Sequence, residues 1–165
     1  MHTRVIKPRH GPTLRVRPLE RGDVATVSAV FERLGDQSRR ARSNGPKPCL
    51  SPAELEQLAA VDHSHHALVA YAEGDPQPVA IARLARNDRS SAEIAFAVAD
   101  SYQHRGIGSA LAAELIADAR AAGITEITAL ASGDNPATLA LLRRTTDVVD
   151  VYFEGPELSI RAAIA

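Results

Sequence analysis

The chain has 165 residues, a formal net charge of −1 and 45% apolar residues, which are the proportions of a single soluble domain with an ordinary core. This charge balance argues against nucleic acid or an anionic membrane as a partner, because no overall field attracts either one. The single cysteine, Cys49, excludes an internal disulfide, and the lack of a long apolar run or a signal-peptide core predicts a cytoplasmic location.

The hydrophobic pattern divides the chain into a basic start and one folded domain. Residues 1–12, with Pro8, Gly11 and Pro12, predict a flexible, poorly ordered arm, and residues 13–165 predict the domain. Short apolar or alternating runs predict strands at residues 13–17, 67–71, 78–85, 92–99, 124–131, 148–153 and 157–164. Helical faces predict helices at residues 23–34, 51–61, 109–122 and 135–144. The polar residues 36–50 predict a loop or a broken helix that lines a site.

A glycine-rich turn between the strand at 92–99 and the long helix is the most informative stretch. It consists of Gln103, His104, Arg105, Gly106, Ile107, Gly108 and Ser109. The first N–H groups of a helix lack intrahelical partners and sit at the positive end of the helix dipole. Glycines let an anion approach those groups closely. The turn therefore predicts a phosphate or pyrophosphate site.

Two familiar phosphate loops do not fit this turn. A Walker loop needs a lysine before the final hydroxyl residue, and Gly108 stands there instead. A dinucleotide fingerprint needs a third small residue at the position of Leu111.

The spacing Gln-x-x-Gly-x-Gly after a strand resembles the acetyl-CoA pyrophosphate loop of the GNAT superfamily of N-acetyltransferases. The predicted element order from Leu14 onward, β-α-α-β-β-β-α-β-α-β-β, is also that of the GNAT fold. The resemblance implies an α/β protein whose central sheet is mixed, mostly antiparallel and flanked by helices. Several stretches, including residues 50–55 and 92–100, resemble the acetyltransferase domain of bacterial Pat-type protein lysine acetyltransferases.

The resemblance also implies how acetyl-CoA is held as the co-substrate. The N–H groups of the glycine-rich turn would cradle the pyrophosphate, and Asn135 would approach the cofactor's arm. Main-chain groups of the central strand would contact the pantetheine, and one of its N–H groups would face the thioester oxygen. The strand residues implied are Phe96, Ala97 and Val98.

Glu93 is the candidate general base. An amine such as that of lysine, with a pKa of about 10.4, is almost fully protonated at neutral pH, so a group must take its proton. Strand alternation puts Glu93 on the same face as three alanines, which leaves room for a substrate. A glutamate at this position is the general base of the Pat-type enzymes. The alternative is a solvated glutamate near the end of the strand.

The leaving thiolate lacks an obvious proton donor. Many GNAT enzymes use a tyrosine seven residues after the asparagine, and Leu142 occupies that position here. A water molecule or a helix terminus would then assist departure. A domain that binds acetyl-CoA without turning it over is the other interpretation.

Together these observations predict direct transfer of an acetyl group from acetyl-CoA to a primary amine, with a protein lysine as the leading acceptor. A polyamine, an amino acid or an aminoglycoside is the alternative acceptor, and a non-catalytic acyl-CoA sensor is the alternative function. The nearby histidines His63, His65 and His66 do not have the spacing of a metal site, so no metal is expected. The sequence leaves the oligomeric state open.

Overall fold

The computed structural model describes residues 2–35, 49–132 and 136–164. Residues 36–48, which belong to the loop or broken helix predicted at 36–50, lie outside these ranges. Within these ranges the chain forms one 8-stranded sheet, in the order β1-β2-β3-β4-β5-β6-β8-β7. The strands are β1 (Arg4–Ile6), β2 (Leu14–Pro18), β3 (His65–Ala72), β4 (Pro78–Arg86), β5 (Ser91–Val98), β6 (Glu126–Ser132), β7 (Val148–Glu154) and β8 (Glu157–Ala163).

Helices flank this sheet on both faces. They are α1 (Val24–Glu32), α2 (Pro52–Leu58), α3 (Ile107–Ala121) and α4 (Ala137–Thr145), with a 3₁₀ turn at Asp100–Tyr102. All neighbouring strands pair antiparallel except β5 and β6, which are parallel. The predicted class, an α/β protein with a mixed and mostly antiparallel sheet flanked by helices, is confirmed.

Two apolar clusters lie on opposite faces of the sheet. On one face, α3 and α4 contribute side chains such as Leu111, Leu115 and Leu142, all at most 1% exposed. On the other face, α1 packs Val30 and Phe31 against β3, β4 and β5. Helical periodicity and strand alternation together produce this division, because each element presents one apolar side.

Local sequence signals set the start of α2. The Ser51 hydroxyl accepts the N–H of Glu54 at 3.3 Å, and the Glu54 carboxylate accepts the N–H of Ser51 at 2.8 Å. This is the predicted capping box, with Pro52 at the first helical position. The helix ends at Leu58, before the predicted end at residue 61, because the next N–H groups leave the i→i−4 pattern: that of Ala60 bonds the Gln57 carbonyl, and that of Val61 bonds the Ala59 carbonyl.

The first residues differ from the prediction of a poorly ordered arm at 1–12. Arg4–Ile6 forms β1 and pairs with β2, with Arg4 opposite Val16 and Ile6 opposite Leu14. The Arg4 guanidinium also bonds Glu114 at 2.8 Å and Asp118 at 2.6 Å, both on α3. Local sequence patterns do not reveal these contacts, because their partners are remote along the chain. None of the helices in the described ranges is long and apolar enough to cross a membrane.

Candidate active site

β5 and β6 separate in the middle of the sheet. Their pairing covers Ser91–Glu126, Ala92–Ile127 and Glu93–Thr128, and no pair follows along β5. On its other edge, β5 pairs with β4 as far as Val98 opposite Ala80. The sheet therefore opens into a cleft on one side of β5 beyond Glu93, while the other side of the strand stays bonded.

The main chain of β5 turns polar groups toward this cleft. The Ala99 N–H bonds the Val79 carbonyl at 2.8 Å, which fixes which residues face β4. Bonding direction alternates along a strand, so Phe96 and Val98 direct their N–H and C=O groups to the β6 side. By the same alternation the main chain of Ala97 faces β4. The geometry thus favours Phe96 and Val98 over Ala97 as main-chain partners for a molecule in the cleft.

The glycine-rich turn lies at the end of this strand, as predicted. Gly106 is the N-cap of α3 with φ 78°, and no side chain caps the helix there. His104 also has a left-handed backbone, with φ 60°. Such a conformation costs a non-glycine residue on the order of 1 kcal/mol and tends to occur at functional sites. The N–H groups of Ile107, Gly108 and Ser109 form the first turn of α3, where intrahelical acceptors are lacking.

The second glycine has a packing role. A Cβ atom at Gly108 would lie 3.1 Å from Leu141 Cδ1 on α4 and 3.7 Å from Val98 Cγ2 on β5. Gly108 therefore lets the first turn of α3 approach both α4 and the end of β5. This contact sets the turn beside the cleft between β5 and β6.

Gln103 links the turn to the strand. Its side-chain Nε2 donates to the Val98 carbonyl at 3.1 Å and to the Asp100 carboxylate at 3.3 Å. The amide thus holds the turn against the last residue of β5. Gln103 therefore positions the glycine-rich turn relative to β5.

A polar network that the sequence did not predict supports the turn from the side of α1. Tyr102 donates its hydroxyl to Asp75 Oδ2 at 2.8 Å, and Arg33 Nη2 donates to the same oxygen at 2.8 Å. The guanidinium of Arg33 lies 5.3 Å from the Tyr102 ring centre, and that of Arg105 lies 5.5 Å from it. The hydrogen bond from Arg33, with those from Gln77 and Tyr102, lowers the pKa of Asp75 to about 2.

Glu93 lies where the two strands begin to separate. Its side chain is exposed and stands on the α1 and α2 face of the sheet, which it shares with Ala97. Sheet pairing places it in one row with His65, Ala85 and Thr128, on β3, β4 and β6. The alanine in this row leaves space beside the carboxylate.

His65 shares this row and is held by a neighbour. Its Nδ1 lies 2.9 Å from Asp62 Oδ1, which also accepts the N–H groups of Ser64 and His65. These hydrogen bonds, led by that of the His65 side chain, lower the pKa of Asp62 to about 2. Among the described residues, no group of three or more His, Cys, Asp or Glu side chains is arranged to hold a metal ion.

Two further positions complete the comparison with the predicted site. Asn135 lies outside the described residues. Leu142 is completely buried in the cluster between the sheet and the helices α3 and α4. The structure thus places Glu93, Phe96 and Val98 along one strand, β5, and the turn from Gln103 to Ser109 beyond the end of that strand.

Comparison with known proteins identifies the family. Residues 30–146 match the model of the acetyltransferase (GNAT) family. The chain is 35% identical over 143 residues to Acetyltransferase Pat from Mycolicibacterium smegmatis, a match that covers 84% of this chain and 42% of Pat. It is 31% identical over 131 residues to Acetyltransferase PA5475 from Pseudomonas aeruginosa, covering 77% of this chain and 70% of that protein.

The fold agrees with these matches. The crystal structure of the GNAT domain of PAT from S. lividans superposes with a TM-score of 0.87 and 26% identity, over 98% of this chain and 96% of that domain. The chain thus spans about two fifths of the length of Pat from M. smegmatis, and nearly all of the isolated domain. It belongs to the acetyltransferase (GNAT) family.

Proposed function

We propose that this enzyme acetylates the ε-amine of lysine side chains in proteins. The observation that carries the proposal is the open surface around Glu93. From Thr128, the face that bears Glu93 continues along β6 to Leu130 and across β8 to Tyr152 on β7. Leu130 is 50% exposed and Tyr152 44% exposed, and the residues of α1 and α2 that face the sheet pack against β3, β4 and β5. The similarity to Acetyltransferase Pat and to the GNAT domain of PAT supports the proposal, because the sequence resembles the Pat-type protein lysine acetyltransferases.

The chemistry starts with the cofactor. The pyrophosphate of acetyl-CoA lies on the N–H groups at the start of α3, and the pantetheine runs into the cleft along β5. There Phe96 and Val98 supply main-chain hydrogen bonds. One of their N–H groups faces the thioester oxygen, and a donor in that position stabilises the developing oxyanion by ~3 kcal/mol.

The acceptor amine approaches from the open face. Glu93 takes a proton from the ammonium group, and the free amine then attacks the thioester carbon. The carbon–sulfur bond breaks and its electrons leave on the CoA sulfur, while the acetylated nitrogen loses its second proton to water and becomes the neutral amide. With Leu142 buried, the thiolate takes its proton from water, which a thiol pKa of about 8.5 permits.

A panel of acceptors tests the acceptor class. Thiol release from acetyl-CoA is measured with spermidine, free amino acids, an aminoglycoside and folded proteins that carry surface lysines. Mass spectrometry then locates any Nε-acetyllysine. Efficient transfer to protein lysines is expected, and transfer confined to small amines would overturn the proposal.

A surface variant sharpens this test. Leu130→Ser removes an exposed apolar contact that a protein acceptor reaches and a small amine does not. The variant is expected to raise KM for protein acceptors several-fold and to leave KM for small amines unchanged. Phe153→Ser is the matched control, because Phe153 is 70% exposed on the opposite face of β7.

A further inference from the structure

The start of the chain lies against the glycine-rich turn. Pro8 is buried, and its Cβ atom lies 3.7 Å from the place where a Cβ atom of Gly106 would be. A Cβ atom at Gly11 would stand 2.6 Å from the Arg105 carbonyl oxygen and 3.4 Å from Arg105 Cβ. Since real Cβ atoms do not approach an oxygen so closely, glycine at position 11 permits this contact.

Contacts of the preceding strand, β1, hold this part of the chain in place. β1 pairs with β2, and Arg4 bonds Glu114 and Asp118 on α3, the helix that the turn begins. Ile6 packs against the core on the same face as α3. Residues 7–10 follow immediately and are therefore fixed beside the N-terminus of α3. We call Lys7, Pro8, Arg9 and His10 the basic segment.

The side chains of the basic segment carry positive charge that is available to a ligand. Lys7, Arg9 and His10 are all exposed. Within the described ranges, none of these side chains has a hydrogen bond or an ion pair. A fixed backbone with side chains that no carboxylate neutralises is suited to an anionic ligand, because the charges need no large rearrangement to reach it.

The segment and the cleft lie on opposite sides of the turn. Gly108 faces Val98 and α4, whereas Gly106 faces Pro8. Gly106 is the N-cap of α3, and Gly108 lies in its first turn. A molecule whose thiol end enters the cleft beside Val98 and whose pyrophosphate lies on the turn therefore has its far end on the side of Pro8.

We propose that the basic segment binds the 3′-phosphate of acetyl-CoA. The inference rests on the proposed use of the turn as the pyrophosphate site. The pyrophosphate takes the N–H groups of α3, which leaves the 3′-phosphate as the remaining anion at the distal end of the cofactor. Lys7 and Arg9 flank the buried Pro8 and reach that phosphate with charged donors, and His10 adds a ring N–H donor. The segment thus makes the enzyme selective for CoA over its dephosphorylated form.

The test compares acetyl-CoA with acetyl-3′-dephospho-CoA. The wild-type enzyme is expected to prefer acetyl-CoA, and two charge-assisted contacts correspond to a difference in KM of about tenfold. The double variant Lys7→Ala with Arg9→Ala should lose this preference through a higher KM for acetyl-CoA alone. Its kcat and its KM for the amine should not change. Arg9→Lys, which keeps the charge, should retain most of the preference.

Arg21→Ala is the control for the loss of an exposed cation, because Arg21 is exposed in the turn between β2 and α1; it removes one positive charge where the double variant removes two. The inference would be overturned by a double variant that keeps the full preference for acetyl-CoA, or by one that loses affinity equally for both cofactors. A wild-type enzyme without any preference for acetyl-CoA would overturn it as well. Each of these results leaves transfer from acetyl-CoA intact. Failure of the proposed function appears differently, as a wild-type enzyme that does not acetylate protein lysines.

Discussion

Glu93 and Thr128 form the last pair of the β5–β6 ladder, and beyond them the two strands diverge. The carboxylate therefore stands at the base of the cleft that exposes the main chain of Phe96 and Val98. A proton acceptor and the proposed thioester site are adjacent because one strand supplies both. This arrangement leads to the predictions below.

Glu93→Gln should remove the general base and leave cofactor binding unchanged. We expect kcat to fall by about 10²- to 10⁴-fold at neutral pH, the usual contribution of a positioned base. The defect should shrink toward high pH, as the amine loses its proton to solvent. Steady-state rates across a pH series, together with titration of acetyl-CoA, measure both effects. The control is Glu56→Gln, at an exposed position of α2, which should change neither kcat nor the affinity for acetyl-CoA. A fully active Glu93→Gln enzyme would show that Glu93 is not the general base.

Gly106→Ala should weaken cofactor binding beyond its effect on stability. Gly106 has φ 78°, and Gly22 has φ 80° in an open turn with no atom near its missing Cβ. Alanine at either position should cost on the order of 1 kcal/mol of folding free energy, because both backbones are left-handed. Only Gly106→Ala should raise the Kd of acetyl-CoA, which calorimetry detects. Equal Kd values for the two variants would show that the turn does not hold the cofactor.

Tyr102→Phe should loosen the glycine-rich turn. The change removes the hydrogen bond to Asp75 and keeps the ring that the guanidiniums of Arg33 and Arg105 both approach. We expect a higher KM for acetyl-CoA at nearly constant kcat. Tyr71→Phe is the matched control, because Tyr71 accepts a hydrogen bond from Arg17 at 2.8 Å and contacts two arginines away from the turn. Similar kinetic effects of the two variants would contradict a role in positioning the turn.

Asp75 should also make stability depend on acid pH. Its pKa is lowered to about 2 in the folded protein, below the usual value of 3.8, chiefly by the hydrogen bond from Arg33. Its stabilising contribution is complete above pH ~4 and is lost as the pH falls toward 2, because the unfolded chain binds the proton first. Asp75→Asn should therefore be less stable than the wild type at pH 7. The difference in unfolding free energy between the two proteins, measured by urea titration, should narrow between pH ~4 and ~2. A difference that stays constant over this range would show that the protonation of Asp75 is not coupled to folding.

Leu142→Tyr should not restore a proton donor. Leu142 is completely buried in the core, so a tyrosine there must overpack the cluster or bury its hydroxyl. Overpacking of this kind costs about 1–3 kcal/mol of folding free energy, so the variant should have a lower Tm and no gain in kcat. Ala140→Tyr, on an exposed position of the same helix, is the control. A gain in kcat for Leu142→Tyr would show that position 142 reaches the leaving sulfur.

Patterns confined to short stretches of the sequence predicted most of the fold. The alternation in β5 and the helical face of α3 indicated the strand, turn and helix around Gly106, because each depends on neighbours along the chain. The capping box at Ser51 was equally local. The prediction of a flexible arm at residues 1–12 did not include β1 for the same reason, since a basic stretch with prolines and a glycine carries no sign of its pairing with β2.

By itself, the sequence determined the family, the glycine-rich turn and the candidate base Glu93, since residue types at fixed spacing encode them. Only the tertiary structure decided where β5 and β6 separate, which main-chain groups face the cleft, and what lies around the turn. The network of Arg33, Asp75 and Tyr102 and the contact of Gly11 with Arg105 join residues remote along the chain. Such contacts depend on how packed elements meet, and no local periodicity records them.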